Sequence, residues 1–150
     1  MAMNREIWRE KWLSSINELT SLELQKKSWL NVTNTNPHWS FVEFMCCYFE
    51  DLDIENINNY PYSQGWITKQ EYEIIKEWHE ALAKYNSPLN NDYDNEAILN
   101  DPKWLTIIKA GIEAKNKLVE IVSTSEKHKL TEEIDYLRHF KGYHQEKHQL

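Results

Sequence analysis

The stretch Thr68–Leu82, TKQEYEIIKEWHEAL, shows most clearly how this chain folds. Thr68 is followed three residues later by Glu71, the spacing of a capping box, in which each side chain accepts a hydrogen bond from the other residue's backbone N–H. The apolar residues that follow recur at helical spacing, as Tyr72, Ile75, Trp78 and Leu82. The stretch predicts an amphipathic helix that begins at Thr68 and ends before Pro88.

Two apolar segments precede this helix. Residues 4–31 predict one long helix, or two helices broken near Glu18–Ser21. Their apolar residues form one stripe, which contains Trp8, Trp12, Ile16 and Leu19. Ser40 and Glu43 have the spacing of a second capping box, and Asn36-Pro37 is a competing helix start. The run FVEFMCCYF that follows is apolar almost all round, which predicts a central, buried helix from Ser40 to about Leu52.

Two more long helices are predicted after residue 88. Asp101-Pro102 is typical of a helix start, and the apolar spacing continues to about Ser123. Gly111, in the middle of this helix, costs about 1 kcal/mol relative to alanine, so we expect another helix to approach closely there. A last helix is predicted to begin at Thr131, with inward-facing residues Ile134, Leu137 and Phe140.

Glycine and proline are scarce, with three Gly and four Pro among 150 residues. Sheets of short strands need many turn residues, often Gly or Pro. The predicted fold class is therefore all-α, a single irregular bundle of five or six helices. Because this length is usual for one domain, residues 1–150 are interpreted as one helical domain, with about 143–150 as a frayed tail.

Charge is distributed unevenly along the chain. Residues 37–101 carry three basic and thirteen acidic side chains, within a chain of net charge −7. Such a segment repels nucleic-acid phosphates and anionic lipid and attracts a basic protein partner. The alternative is a solvated acidic surface that keeps the protein soluble. Without an apolar signal stretch or a run near the roughly 20 apolar residues of a membrane span, we expect a cytoplasmic protein that binds neither membrane nor nucleic acid.

Patterns typical of metal and cofactor sites are incomplete. His144 and His148 have the i, i+4 spacing of a metal-binding pair, but Gln145 stands where a zinc protease needs Glu. The acidic loops that begin at Asp51 and Asp92 lack the glycine and the final glutamate of a calcium-binding loop. Three glycines leave little room for a phosphate-binding loop. We therefore expect no metal and no cofactor.

The candidates for catalytic residues are Glu43 and His79. Both fall on the two most aromatic predicted helices, where a half-buried Glu beside His could act as an acid–base pair at a small-molecule pocket. The alternative, which the sequence favours, is a helix-capping glutamate and a core histidine. Cys46 and Cys47 lie in an apolar run, which predicts buried and unreactive thiols. The sequence therefore leans against an enzyme.

Aromatic residues are concentrated in the same acidic segment. Seven of them fall within about forty residues: Trp39, Tyr48, Tyr60, Tyr62, Trp66, Tyr72 and Trp78. Aromatic side chains rimmed by charge are typical of anchors in a protein-binding face. They are equally typical of a small core that is filled with large side chains.

Three runs give the chain its general character: LQKKSWLN (24–31), NPHWSFVEFMCCYFEDL (36–52) and GWITKQEYEIIKEWHEAL (65–82). They resemble small, uncharacterised helical bacterial proteins, some of which are similar in size and acidity to immunity proteins that neutralise a secreted toxin. The resemblance implies a non-enzymatic domain that inhibits a basic toxin, for example a nuclease. It assigns a role to no individual residue.

The leading hypothesis is an acidic, aromatic face that binds a cationic cleft of a partner protein. Its predicted residues are Asp51, Asp53, Glu55, Tyr60, Tyr62, Glu73, Glu77 and Glu80. Two alternatives stay open. One is a small-molecule enzyme or binding protein with a pocket near Glu43 and His79, and the other is a structural subunit of a homodimer.

Overall fold

The structure is a computed structural model that describes residues 4–30, 40–54 and 65–132. Within these ranges the chain forms α-helices and one 3₁₀ turn, and it forms no strand. The elements are α1 (Arg5–Leu19), α2 (Leu22–Trp29), α3 (Phe41–Phe49), α4 (Lys69–Lys84), the 3₁₀ turn (Pro88–Asn90), α5 (Asn95–Leu99), α6 (Pro102–Ile121) and α7 (Thr124–Thr131). The all-α prediction is confirmed.

The predicted starts of the central helices are confirmed. Ser40 and Thr68 are the N-caps of α3 and α4, each with its capping box, and Asp101 is the N-cap of α6. The N-terminal segment is broken, because the Ser21 hydroxyl accepts a hydrogen bond from the Leu24 N–H and starts α2. This break and the short helices α5 and α7 bring the number of helices in the described ranges above the five or six expected.

The helix start predicted at Thr131 is wrong, because Thr131 is the last residue of α7. That helix begins at a third capping box, formed by Ser123 and Glu126. Leu130 is its one buried residue, so apolar periodicity gives little sign of it. The rest of the predicted last helix and the predicted tail lie outside the described residues, as do Ile134, Leu137, Phe140, His144 and His148.

The core is filled by large side chains from all seven described helices. The predicted stripe of α1 is buried, as Trp8, Trp12, Ile16 and Leu19. Gln25, which is fully buried, connects three helices. Its Oε1 accepts a hydrogen bond from Trp104 Nε1 at 3.0 Å, and its Nε2 donates to the carbonyls of Glu18 and Leu19. A buried amide with these partners fixes α1, α2 and α6 against one another.

Gly111 lies where α6 meets α4 and the end of α1. A Cβ added to it would stand 2.6 Å from Thr20 Cγ2 and 2.6 Å from Trp78 Nε1. The close approach that the sequence predicted at this glycine is therefore confirmed. The indole of Trp78 packs on the bare backbone of α6, in space that any other residue would need.

We predict that Gly111→Ala destabilises the protein, although alanine is the better helix former by about 1 kcal/mol. Overpacking of this kind costs about 1–3 kcal/mol, and the measurement is the free energy of unfolding in urea. Thr20→Ser in the same chain should recover part of the loss, because it removes Cγ2 and keeps the hydroxyl that donates to the Ile16 carbonyl. A Gly111→Ala variant as stable as the wild type would contradict the close contact.

Arg9 of α1 is a buried cation at the junction of three helices. Its side chain is 4% exposed and bonds both oxygens of Glu71, at 2.7 and 2.8 Å. Its Nε donates to Glu126 at 2.7 Å, and one terminal nitrogen donates to the Trp66 carbonyl at 2.8 Å. Glu71 and Glu126 are the capping-box glutamates of α4 and α7. One guanidinium therefore holds the first turns of two helices against α1.

The charges at this junction favour ionised partners. Burial alone lowers the pKa of Arg9, but hydrogen bonds with Glu71 and Glu126 outweigh it, so the pKa lies above its ordinary value. One cation faces two carboxylates, and the positive ends of the α4 and α7 dipoles offset the second negative charge. The guanidinium also lies over the Trp12 ring, 5.6 Å from its centroid. The network is thus close to electrically balanced.

We predict that Arg9→Met destabilises the protein by about 3–5 kcal/mol, because Glu71 is left buried without its counter-charge. Adding Glu71→Gln to Arg9→Met should recover part of that loss. Lys27→Met is the matched control, since it breaks the exposed pair between Lys27 and Glu23 and should cost less than about 1 kcal/mol. Urea unfolding measures all of these variants. Equal losses in Arg9→Met and Lys27→Met would show that the buried network is not needed.

The stability of the protein is expected to depend on pH through the carboxylate of Glu126. Hydrogen bonds from Arg9 lower its pKa against the opposing effect of burial. Its contribution to stability is fully present above the ordinary glutamate pKa of about 4.3 and is lost as pH falls through the lower folded value. We expect Glu126→Gln to be less stable than the wild type at neutral pH, with the difference narrowing in acid. A Glu126 pKa at or above 4.3, measured by NMR titration, would contradict this.

Candidate functional site

Helices α3 and α4 run antiparallel and contact each other through large aromatic side chains. Phe41, at the start of α3, contacts Tyr85 just beyond α4, with ring centroids 6.0 Å apart. Phe49, at the end of α3, contacts His79, with ring centroids 5.4 Å apart. Between them, Tyr48 packs edge-on against Trp78. These contacts place α3 beside the C-terminal half of α4.

The expectation that α3 is buried all round is corrected by the structure. Phe41, Phe44 and Tyr48 are buried, whereas the rest of the helix is half-buried. The two thiols belong to this partly open side, so Cys46 and Cys47 are also half-buried rather than buried. The sequence does not reveal how much of α3 is covered, because the same apolar residues are compatible with a helix that is packed on one side or on two sides. The consequence is an apolar strip that reaches solvent.

This strip forms the floor of an open groove, which we call the α3–α4 groove. Its volume is about 390 Å³, and it is lined by Met45, Cys46, Phe49, Glu50 and Ala83. The first four residues come from α3 and its C-cap, and Ala83 comes from the last turn of α4. A carboxylate at the edge of an apolar floor is suited to a ligand that is apolar on one side and cationic on the other.

The electrostatic field at the groove is negative. Burial raises the pKa of the Cys46 thiol, and the carboxylates of Glu50, Asp51 and Glu43 raise it further. Cys46 is therefore protonated at neutral pH and is a poor nucleophile. Glu80 is exposed one helical turn before Ala83 and adds a carboxylate on the α4 side.

The predicted acidic residues that the structure describes are all exposed. Glu73, Glu77 and Glu80 follow one another at i, i+4 and i+7 and form one stripe along α4, which we call the acidic stripe. Glu73 is also 3.9 Å from Lys76 in an exposed ion pair. Asp51 and Asp53 are exposed just after α3. The three other predicted residues, Glu55, Tyr60 and Tyr62, lie outside the described residues.

Glu43 and His79 are each bonded to another residue. The Glu43 carboxylate accepts hydrogen bonds from the Ser40 backbone at 3.0 Å and from the Ser40 hydroxyl. His79 is 2% exposed, and its Nδ1 is hydrogen-bonded to the Tyr48 hydroxyl at 2.9 Å. Burial raises the pKa of Tyr48, so the phenol stays neutral in this dry contact. Neither Glu43 nor His79 lines the α3–α4 groove.

The aromatic residues of the acidic segment that are described serve mainly the core. Tyr48 and Trp78 are buried, and Trp66 and Tyr72 are half-buried against the core cluster. Trp39 lies outside the described residues. The exposed large residues of this segment are others, Leu89 and Tyr93, in the turn after α4. Leu89 has φ of 55°, a left-handed conformation that costs leucine about 1–2 kcal/mol, and no local pattern indicates it.

A second groove of about 390 Å³ lies at the ends of α1, α2 and α7 beside the middle of α6. It contains Lys27 and Lys115 as well as Glu23 and Glu132. Burial lowers the pKa of Lys115. Since its charges have both signs and its floor is polar, this groove offers no single class of ligand. The α3–α4 groove is therefore the better-defined candidate site.

In residues 4–30, 40–54 and 65–132, no group of three or more His, Cys, Asp or Glu side chains is placed to hold a metal ion. None of the helices described there is both long enough and apolar enough to cross a membrane.

Comparison with known proteins gives no relative: no family model matches the chain, and no curated protein or solved structure is significantly similar to it.

Proposed function

We propose that this protein is a non-enzymatic binding domain that recognises a basic partner protein through the α3–α4 groove and the adjacent acidic stripe. The observation that carries the proposal is an apolar strip on α3 that is open to solvent, together with exposed carboxylates at the end of α3 and along α4. Protein interfaces commonly combine an apolar centre with a charged rim.

The two parts of this surface have different roles. Carboxylates that stay in water before binding attract a cationic partner over distance and speed its association. Half-buried side chains such as Met45 and Phe49 lose their remaining contact with water when the partner is seated, which slows dissociation. Together they give a surface that favours basic proteins and disfavours anionic ones.

The concrete form of the proposal is an immunity-type inhibitor of a basic toxin, for example a nuclease. A nuclease needs a cationic cleft to hold its phosphate substrate. A carboxylate-rich surface can occupy such a cleft in place of the substrate and so block it. The small size and the acidity of the chain, which some immunity proteins share, favour the same choice.

The test is co-expression of the chain with the products of the genes next to its own, followed by measurement of binding for any that co-purify. In the variant Glu73→Lys/Glu77→Lys/Glu80→Lys we expect the association rate at low salt to fall by about tenfold or more. The salt dependence of binding should also become weaker.

The matched control is Glu96→Lys/Glu113→Lys/Glu120→Lys, which changes three exposed glutamates of α5 and α6. It alters the net charge by the same amount and should leave the association rate much closer to that of the wild type. Equal rates and equal salt dependence in the two triple variants would mean that the acidic stripe is not the binding surface.

A further inference from the structure

We infer that the α3–α4 groove takes the apolar side chains of a cationic, amphipathic helix of the partner. This inference rests on the proposed function and deepens it, because it names the element of the partner that is bound and the residues that receive it.

The first argument is the shape of the groove. Its volume of about 390 Å³ is at the small end of ligand sites and suits a few apolar side chains. It is open along one side, whereas a small-molecule site encloses most of its ligand. An open groove of this size is better suited to side chains that project from a partner's surface than to a free small molecule.

The second argument is the arrangement of its floor. Met45 and Phe49 are one helical turn apart on α3, and Ala83 faces them from antiparallel α4. The groove between two antiparallel helices runs along their axes, and a third helix can lie in such a groove. Binding of an amphipathic helix in an apolar groove is a common mode of peptide recognition, read through residues at i, i+3, i+4 and i+7.

The third argument is charge complementarity. Glu50 stands on the α3 edge, with Asp51 next to it, and on α4 Glu80 is exposed one helical turn before Ala83. The thiol of Cys46, on the floor, is surrounded by carboxylates that disfavour another negative charge. A helix with apolar residues on one side and lysines or arginines on its flanks matches both the floor and the edges.

The experiment uses the whole chain and a synthetic fluorescent peptide with leucines at i, i+3, i+4 and i+7 and lysines elsewhere. We expect saturable, salt-sensitive binding by fluorescence anisotropy, and NMR amide shifts concentrated at Met45, Cys46, Phe49 and Ala83. Two comparison peptides should bind much more weakly: one with the same composition scrambled, and one with glutamate in place of lysine. Equal binding of the scrambled peptide would overturn the inference, since charge alone would then explain it.

A matched pair of variants tests the groove itself. Ala83→Trp fills it, whereas Ala81→Trp places the same side chain on the opposite side of α4, and both alanines are exposed. We expect about tenfold weaker peptide binding, or more, in Ala83→Trp and little change in Ala81→Trp. Glu50→Lys, with Glu120→Lys as its control, gives a second pair if either tryptophan variant folds poorly. Equal effects within each pair would overturn the inference.

The outcomes also separate this inference from the proposed function. If the acidic-stripe variant loses a basic partner while Ala83→Trp binds it normally, the inference about the groove is wrong, and the part of the proposed function that stands is recognition of a basic partner through the acidic stripe. If neither variant changes the binding of the partner, the inference and the proposed function are both wrong. The remaining possibility is that a second copy of this chain occupies the groove, which light scattering tests. A dimer that the Ala83→Trp substitution dissociates would overturn the inference.

Discussion

The described part of the fold depends first on the buried guanidinium of Arg9. It joins α1 to the first turns of α4 and α7, which follow it by 62 and 117 residues in the chain. Burial of a cation is expensive, and it is tolerated here because two carboxylates and a carbonyl satisfy its donors. The same carboxylates cap the helices that they start. One network therefore sets where α4 begins and where it lies against α1.

The position of α4 in turn determines the candidate site. Its middle is fixed by Trp78, which packs on Gly111 of α6 and leaves no space for a side chain there. Its inner face also holds His79 against Tyr48 of α3. With one end, the middle and the α3 side all held, the outer face of α4 is directed to solvent together with its glutamates. The groove is the gap that remains beside α3, where Ala83 is too small to cover Met45 and Phe49.

Much of this fold could be predicted from local sequence, because caps and apolar stripes are local signals. The caps at Ser40, Thr68 and Asp101 and the close approach at Gly111 were all predicted. Arg9 was missed, although it lies in phase with Trp12, Leu13 and Ile16 on the inner stripe of α1. Its charge predicts an exposed side chain, since arginine is rarely buried unless it is paired. The carboxylates that allow Arg9 to be buried lie on helices far away in the chain, and no spacing rule in the sequence connects them to Arg9. The exposed acidic residues of α4 were predicted correctly, but the groove was not, because it depends on how much of α3 its neighbours cover.

The site also shows why an acidic protein can keep an apolar strip open to solvent. Exposed apolar strips favour self-association, and the largest ones on monomers commonly serve binding. Here each copy carries the same carboxylates beside the strip, at Glu50, Asp51 and Glu80, so two copies that approach through it repel one another. A cationic partner meets no such repulsion and gains from the same charges. In the proposed function, the same carboxylates would therefore disfavour self-association and favour a cationic partner.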